Sequence, residues 1–141
     1  MMEKRIGFLF MPHGLGHYIG LDVHDVGGYL AHTPKRRTQP GLANVRCGRV
    51  VEKHQVITIE PGCYFRDFLL DGEVPEEFFN FDLSYLNREK IREYQAEICG
   101  VRIEDDVLIT ENGCENLSYD VPRTVPQIEA LMAGNENWRE L

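Results

Sequence analysis

Positive charge is scarce in this sequence. Fifteen Lys and Arg residues stand against 23 Asp and Glu residues, which gives a formal net charge of -8 over 141 residues. The longest basic run is the three residues from Lys35 to Arg37. A surface of this charge repels polyanions. We therefore expect neither nucleic acid nor an anionic membrane as a partner.

Long apolar runs and paired cysteines are also missing. The apolar run before Pro12 is too short for a signal peptide, and no stretch approaches the roughly 20 apolar residues of a membrane helix. No CxxC pair occurs among the four cysteines, which are Cys47, Cys63, Cys99 and Cys114. Free thiols are typical of a reducing compartment. We expect a cytoplasmic protein whose cysteines are small apolar side chains in or near the core.

The length fits one domain or a piece of one, and its first half reads as strands separated by loops. The segment "RIGFLFM" before Pro12 predicts a buried strand. Residues 27–48 are rich in Gly, Pro and Thr and predict a long loop. "HQVITIEPGCYF" predicts a strand that ends at a Pro-Gly turn and presents Glu60 at its end.

The second half alternates helices and strands. Residues 66–83 are acidic and aromatic and predict an irregular surface segment of no assigned function. Apolar spacing predicts a helix from about residue 87 to 98, whose apolar stripe covers the sheet. Residues 101–109 predict a strand with Arg102 and Glu104 on one face, followed by a hairpin turn at 111–113. A capping box at Thr124 begins a terminal helix that ends near Gly134.

Three of the five histidines lie within twelve positions, in "HGLGHYIGLDVHD". His13 and His17 have the spacing of a helical zinc motif, but two glycines lie between them and the motif's glutamate is missing. The segment is therefore a poor match to the HExxH zinc peptidases. Glycines here let the backbone turn sharply or approach another group closely.

Two glutamates follow β-branched residues in the predicted strands, Glu60 in "TIEPG" and Glu104 in "RIEDD". A buried carboxylate needs a partner, and a metal ion or an arginine is the usual one. Imidazole with carboxylates suits a hard or borderline divalent metal. Other readings stay open: Glu60 as a strand cap, Glu104 paired with Arg102 at the surface, and the histidines as polar loop residues.

Five motifs in order add a more specific signal: "FMPHGLGHYIGLDVHDVGGY", "QPGLANVR", "VITIEPGCYF", "GVRIEDDVLIT" and "VPRTVPQIEA". Together they resemble the carboxyl-terminal half of the prolidase (Xaa-Pro dipeptidase) family of pita-bread metallopeptidases, which include aminopeptidase P and creatinase. The likeness runs from about Phe8 to Gly134. It implies an α+β fold, the carboxyl-terminal half of a pita-bread domain, with an antiparallel curved sheet and two flanking helices.

The resemblance also implies an activity and a set of site residues. The activity is hydrolysis of Xaa-Pro dipeptides by a hydroxide that bridges two divalent metals, with manganese expected and cobalt or zinc as alternatives. The implied roles are metal binding for His17, Glu60 and Glu104, with Glu104 bridging the two metals, and substrate binding for His13, His24 and Arg46. His24 is also implied to make a catalytic hydrogen bond, and Arg102 to orient the bridging Glu104.

The sequence departs from the family in one respect. The family's two aspartate ligands lie upstream of the HGLGH motif, where this sequence has no aspartate. Asp22 and Asp25 belong to the DVHD motif and do not replace them. We therefore expect 1–141 to be a partial catalytic domain that is inactive alone and has an exposed apolar sheet face. The amino-terminal half of the same domain would complete it, and we expect the full-length protein to be a homodimer.

Two other functions remain open. One is a truncated, non-catalytic interaction module, and the other is an Xaa-Pro aminopeptidase resembling aminopeptidase P. Retention of the ligand and substrate residues together favours the enzyme over the module.

Overall fold

The computed structural model describes residues 6–39, 42–68 and 83–141. Its helices are α1 (Gly7–Phe10), α2 (Arg88–Glu97) and α3 (Val125–Met132), and 3-10 turns span Leu83–Tyr85 and Trp138–Glu140. Its strands are β1 (Val56–Ile59), β2 (Gly62–Tyr64), β3 (Gly100–Arg102), β4 (Asp105–Ile109) and β5 (Cys114–Asn116). The α+β class expected from the sequence is confirmed.

The antiparallel strands lie in two small sheets. β4 pairs with β1 on one side and with β5 on the other, with Ile57 opposite Val107. The predicted hairpin turn joins β4 to β5, where the Thr110 amide donates to the Gly113 carbonyl at 3.0 Å. β2 pairs with β3 in the second sheet, with Gly62 opposite Arg102.

Both predicted helices are present. α2 begins at Asn87, whose side chain accepts from the Lys90 amide. α3 begins with the predicted capping box between Thr124 and Gln127, and the chain leaves it through Gly134, whose φ of +78° suits glycine.

The predicted first strand is wrong, because Gly7–Phe10 is a short helix. A short apolar run does not distinguish a strand from a buried helical turn. Leu9 is fully buried and packs with Ile6 and Ile91 of α2. Ile91 of α2 thus packs against α1, while Tyr94 stacks on Phe65, the residue after β2, with ring centroids 5.1 Å apart. Ile98, just past the end of α2, is 52% exposed.

The predicted continuous strand at 101–109 is also wrong. The chain changes sheets after Arg102, so Glu104 lies between β3 and β4 and is exposed. Val101 and Ile103 next to it are about half exposed, at 52% and 53%.

The cysteines only partly follow the prediction. Cys47 and Cys63 are half-buried, but Cys99 and Cys114 are exposed, and all four are free. None of the helices in the described parts of the chain is long and apolar enough to cross a membrane. The cytoplasmic location and the role of the segment at 66–83, most of which lies outside the described residues, stay open.

Candidate metal centre

The histidine segment, residues 13–25, runs alongside β1. The Ile19 amide donates to the Val56 carbonyl at 3.2 Å, and the Glu60 amide donates to the Leu15 carbonyl at 2.7 Å. Between them the Thr58 amide donates to the His17 carbonyl at 2.8 Å. This pairing brings "HGLGH" and "TIEPG" together, although they are far apart in the sequence.

Gly16 makes the close approach of the two segments possible. A Cβ at this position would lie 1.8 Å from the carbonyl oxygen of Thr58. This oxygen belongs to the backbone and cannot move aside as the end of a flexible side chain could. A side chain at residue 16 would therefore push the two segments apart. The glycine is thus needed where the sequence predicted a close backbone approach.

His17 is buried beside β1, at 4% exposure. Its Nδ1 donates to the carbonyl of Tyr18 at 3.0 Å, so Nδ1 carries a proton. In the neutral ring Nε2 then holds a lone pair, and this atom lies 3.3 Å from Oε1 of Glu60. Two lone pairs facing each other repel unless a proton or a cation lies between them.

The Glu60 carboxylate is buried, at 9% exposure, and both of its oxygens have partners. Oε1 accepts from the hydroxyl of Thr58 at 3.2 Å, and Oε2 lies 3.4 Å from the guanidinium of Arg102. Arg102 therefore contacts the first of the two glutamates. The resemblance to the family had implied that Arg102 lies beside the second glutamate, Glu104.

His17, Glu60 and Glu104 form a group with the spacing of metal ligands. Each offers one ligand atom, and these atoms lie within 4.8 Å of one another. Imidazole nitrogen with two carboxylate oxygens is a donor set for divalent ions such as Mn²⁺, Co²⁺ and Zn²⁺. The residues therefore fit a metal ion, and they are the three that the sequence had proposed as ligands.

The other two histidines of the segment have different surroundings. His24 is exposed, and its ring meets the ring of His17 edge to face, with centroids 4.4 Å apart. His13 donates from Nδ1 to the Gly14 carbonyl at 2.8 Å, which leaves Nε2 to accept from the Tyr64 hydroxyl at 2.9 Å.

An open cavity of about 340 Å³ lies beside His13 and Arg102. Pro12, Tyr64 and Arg66 complete its lining. The sequence had not marked Tyr64, Arg66 or Thr58 as site residues. Tyr64 could only have been found from the side-by-side pairing of segments, because its partner His13 is 51 residues away. Thr58 did have a local signal, since it lies two residues before Glu60 and on the same face of the predicted strand.

Arg46 is exposed in the loop before β1. The loop's backbone passes beside the histidine segment, with the Arg46 amide nitrogen 3.8 Å from where a Cβ on Gly14 would be. The structure thus brings the backbone of Arg46 near Gly14, and in the described parts of the chain no ion pair joins its side chain to Glu60 or Glu104.

Cys47 lies close to the histidine segment without being a suitable ligand. Its thiol donates to the Gly16 carbonyl at 3.5 Å. Burial raises the pKa of the Cys47 thiol, against smaller opposing effects of the Tyr18 backbone and of Arg49. The thiol therefore stays protonated at neutral pH, and only a thiolate binds metal well.

Residues 1–111 match the model of metallopeptidase family M24. The Xaa-Pro dipeptidase of Homo sapiens is 47% identical over 134 residues, which are 95% of this chain and 26% of that protein. A probable Xaa-Pro aminopeptidase of Talaromyces marneffei is 36% identical over 135 residues, or 96% of the chain and 27% of that protein. The chain spans about a quarter of the length of these relatives.

Solved structures of aminopeptidase P share the fold. Zinc-substituted Escherichia coli aminopeptidase P in complex with product matches 96% of this chain and 23% of its own, with a TM-score of 0.54 and 35% identity. The architecture is thus that of part of a pita-bread domain, as the sequence predicted. Because the family model matches residues 1–111 of the 141 in this chain, the chain belongs to metallopeptidase family M24.

Proposed function

We propose that the protein hydrolyses Xaa-Pro dipeptides with divalent metal ions, and that this chain supplies part of the metal centre. The observation that carries the proposal is the group of ligand atoms from His17, Glu60 and Glu104 within 4.8 Å. The facing lone pairs of His17 and Glu60 support it, because a cation between them removes their repulsion.

The residues of the chain prepare the site before any ion binds. The Tyr18 carbonyl fixes the tautomer of His17 and aims Nε2 at the carboxylates. Arg102 holds one oxygen of Glu60 and balances the negative charge that gathers around the ion. A bound divalent metal supplies an activated water at neutral pH, by lowering the pKa of that water, and polarises the peptide carbonyl.

On the family resemblance we propose manganese as the native metal, with cobalt or zinc as alternatives. A nitrogen and carboxylate oxygens suit all three ions, and affinity alone favours zinc over manganese. The solved structure of zinc-substituted Escherichia coli aminopeptidase P supports a site that accepts more than one divalent ion.

A two-metal centre needs more ligands than these three residues. We propose that two aspartates from the rest of the polypeptide complete it, that residues 1–141 are the carboxyl-terminal half of the catalytic domain, and that the complete enzyme is a homodimer. The chain's share of its relatives, about a quarter of their length, supports this division. The chain alone is then inactive.

Substrate binding falls to His13, His24 and Arg46 in this proposal. Arg46 binds the free carboxylate of the dipeptide with the paired donors of its guanidinium. His24, edge-on to His17, donates a hydrogen bond to the oxyanion that develops on the carbonyl. His13 lines the cavity beside Arg102, with its ring fixed by Tyr64.

Dipeptidase activity is favoured over aminopeptidase activity by the higher identity to Xaa-Pro dipeptidase, 47% against 36%. A non-catalytic interaction module is the weaker alternative. An interaction module has no chemical need for the aligned ligand atoms of His17, Glu60 and Glu104.

The test is hydrolysis of Gly-Pro by the protein completed with its remaining half and loaded with Mn²⁺. We expect turnover of the dipeptide, none of a tripeptide such as Gly-Pro-Ala, and no turnover by the chain alone. Arg46→Ala should raise KM, and the fall in kcat/KM should correspond to a loss of about 2 to 4 kcal/mol in transition-state binding. Arg37→Ala, in the same loop, is the matched control and should behave as wild type.

Several results would overturn the proposal. Turnover by the isolated chain would remove the need for a second half. Preference for the tripeptide would indicate the aminopeptidase. An equal loss of activity in Arg46→Ala on an amidated dipeptide would exclude the carboxylate contact.

A further inference from the structure

Thr58 hydrogen-bonds through its side chain to two of the proposed ligands, His17 and Glu60. It lies in β1, opposite Asp106 of β4, and is 1% exposed. Its side chain is therefore fixed by the surrounding structure, and water does not compete for its hydroxyl.

The hydroxyl of Thr58 has two partners, and their chemistry sets its direction. It accepts from the amide of His17 at 3.0 Å. An amide only donates, so the single hydrogen of the hydroxyl is left to donate to Oε1 of Glu60 at 3.2 Å. One oxygen atom thus connects the backbone of His17 with the carboxylate of Glu60.

The geometry points to Thr58 as a positioning residue for the metal centre, an inference that rests on the proposed function. By donating to Oε1, the hydroxyl sets the rotation of the Glu60 carboxylate and keeps a lone pair of the same oxygen directed toward Nε2 of His17, 3.3 Å away. By accepting from the His17 amide, the hydroxyl fixes the position of that histidine along β1.

The role requires a group that both accepts and donates, and serine and threonine have one. Alanine and valine leave the His17 amide and the Glu60 oxygen buried without this partner. Partners that orient metal ligands are worth about 10- to 100-fold in metal affinity. A threonine that only filled space in β1 would not affect metal affinity in this way.

The test is a titration with Co²⁺ of the metal-free protein completed with its remaining half, followed by the visible absorption of the bound ion. T58S and T58A are compared first, because they differ by one oxygen atom, and T58V keeps the shape of the threonine. T124V is the matched control, since it removes a hydrogen-bonding hydroxyl from the start of α3. Urea unfolding shows which variants are folded.

We expect T58S to bind Co²⁺ within about threefold of wild type, and T58A and T58V to bind it about 10- to 100-fold more weakly, with altered absorption bands. T124V should change only the unfolding midpoint. If wild type binds Co²⁺ and T58A matches T58S in affinity and spectrum, the role of Thr58 is refuted while the proposed function stands. If wild type binds no Co²⁺, both are refuted.

Discussion

At the scale of single residues, the meeting of the histidine segment with β1 depends on the missing side chain of Gly16. The pairing places His17 beside Glu60, so the proposed metal centre depends on it as well. Backbone atoms of Thr58 fill the space where a Cβ would go.

Gly16→Ala should therefore destabilise the fold by about 1 to 3 kcal/mol or more, the cost of overpacking a close contact. Urea unfolding measures this loss. Gly113→Ala is the control, because a Cβ at Gly113 meets no atom within 4 Å, and its stability should stay within about 0.5 kcal/mol of wild type. Equal stability of the two variants would show that the close approach at Gly16 is not needed.

The proposed ligands could be predicted from the sequence because each lies in a recognisable motif. His17 is the second histidine of HGLGH, and Glu60 follows a strand of alternating pattern. The contact of Arg102 with Glu60, and that of Tyr64 with His13, could not be predicted. Both depend on which segments lie side by side, and local periodicity carries no information on that.

At the scale of elements, the sequence predicted α2, α3 and the hairpin, where caps and turns are local signals. The prediction from sequence failed where contacts between distant segments determine the local structure. Gly7–Phe10 forms a helical turn and not a strand, and it is buried against Ile91. The change of sheet after Arg102 has no signal in the neighbouring sequence.

One polar network connects the sheet to the segment before α3. The side chain of Asp105, at the start of β4, accepts from Ser118 at 2.7 Å and pairs with Arg123. The Ser118 hydroxyl, followed by the Arg123 guanidinium, lowers the pKa of the Asp105 carboxyl. The network therefore makes the stability of this region depend on pH.

The sign of that dependence follows from the lowered pKa. The unfolded chain holds the Asp105 proton more tightly than the folded chain does, so the stabilisation is complete above the ordinary carboxyl pKa of about 3.9. It is lost as the pH falls through the lower pKa of the folded state. Urea midpoints measured from about pH 6 to about pH 2.5 should fall less steeply in Asp105→Asn than in wild type.

Asp120→Asn is the control for this prediction. Asp120 pairs with Arg139 at 3.5 Å, but both side chains are largely exposed, and such pairs contribute little. Its acid dependence should match that of wild type. An Asp105→Asn variant with the wild-type slope would show that the network does not contribute to acid sensitivity.

At the scale of the whole molecule, much apolar surface is exposed. Val101 and Ile103 at β3 are about half exposed, and Met132 of α3 is 82% exposed. Apolar surface of this kind near a strand edge favours association. The net charge of -8 opposes it, but charge repulsion is screened by salt.

We therefore expect the isolated chain to self-associate, more strongly at high salt. Sedimentation velocity over a range of concentrations measures this, and Val101→Thr with Ile103→Thr should reduce it if β3 forms the contact. Met132→Thr is the corresponding change on α3 and identifies the other surface. A wild-type chain that stays monomeric at about 100 µM in high salt would contradict the expectation.

The central claim is that His17, Glu60 and Glu104 together bind a divalent ion. Crystals of the chain soaked in Zn²⁺ test it most directly, through an anomalous-difference map. We predict a peak about 2.0 to 2.2 Å from Nε2 of His17 and from oxygens of both glutamates, lost in His17→Ala and kept in His32→Ala. A map without a peak there, or a peak that persists in His17→Ala, would contradict the claim.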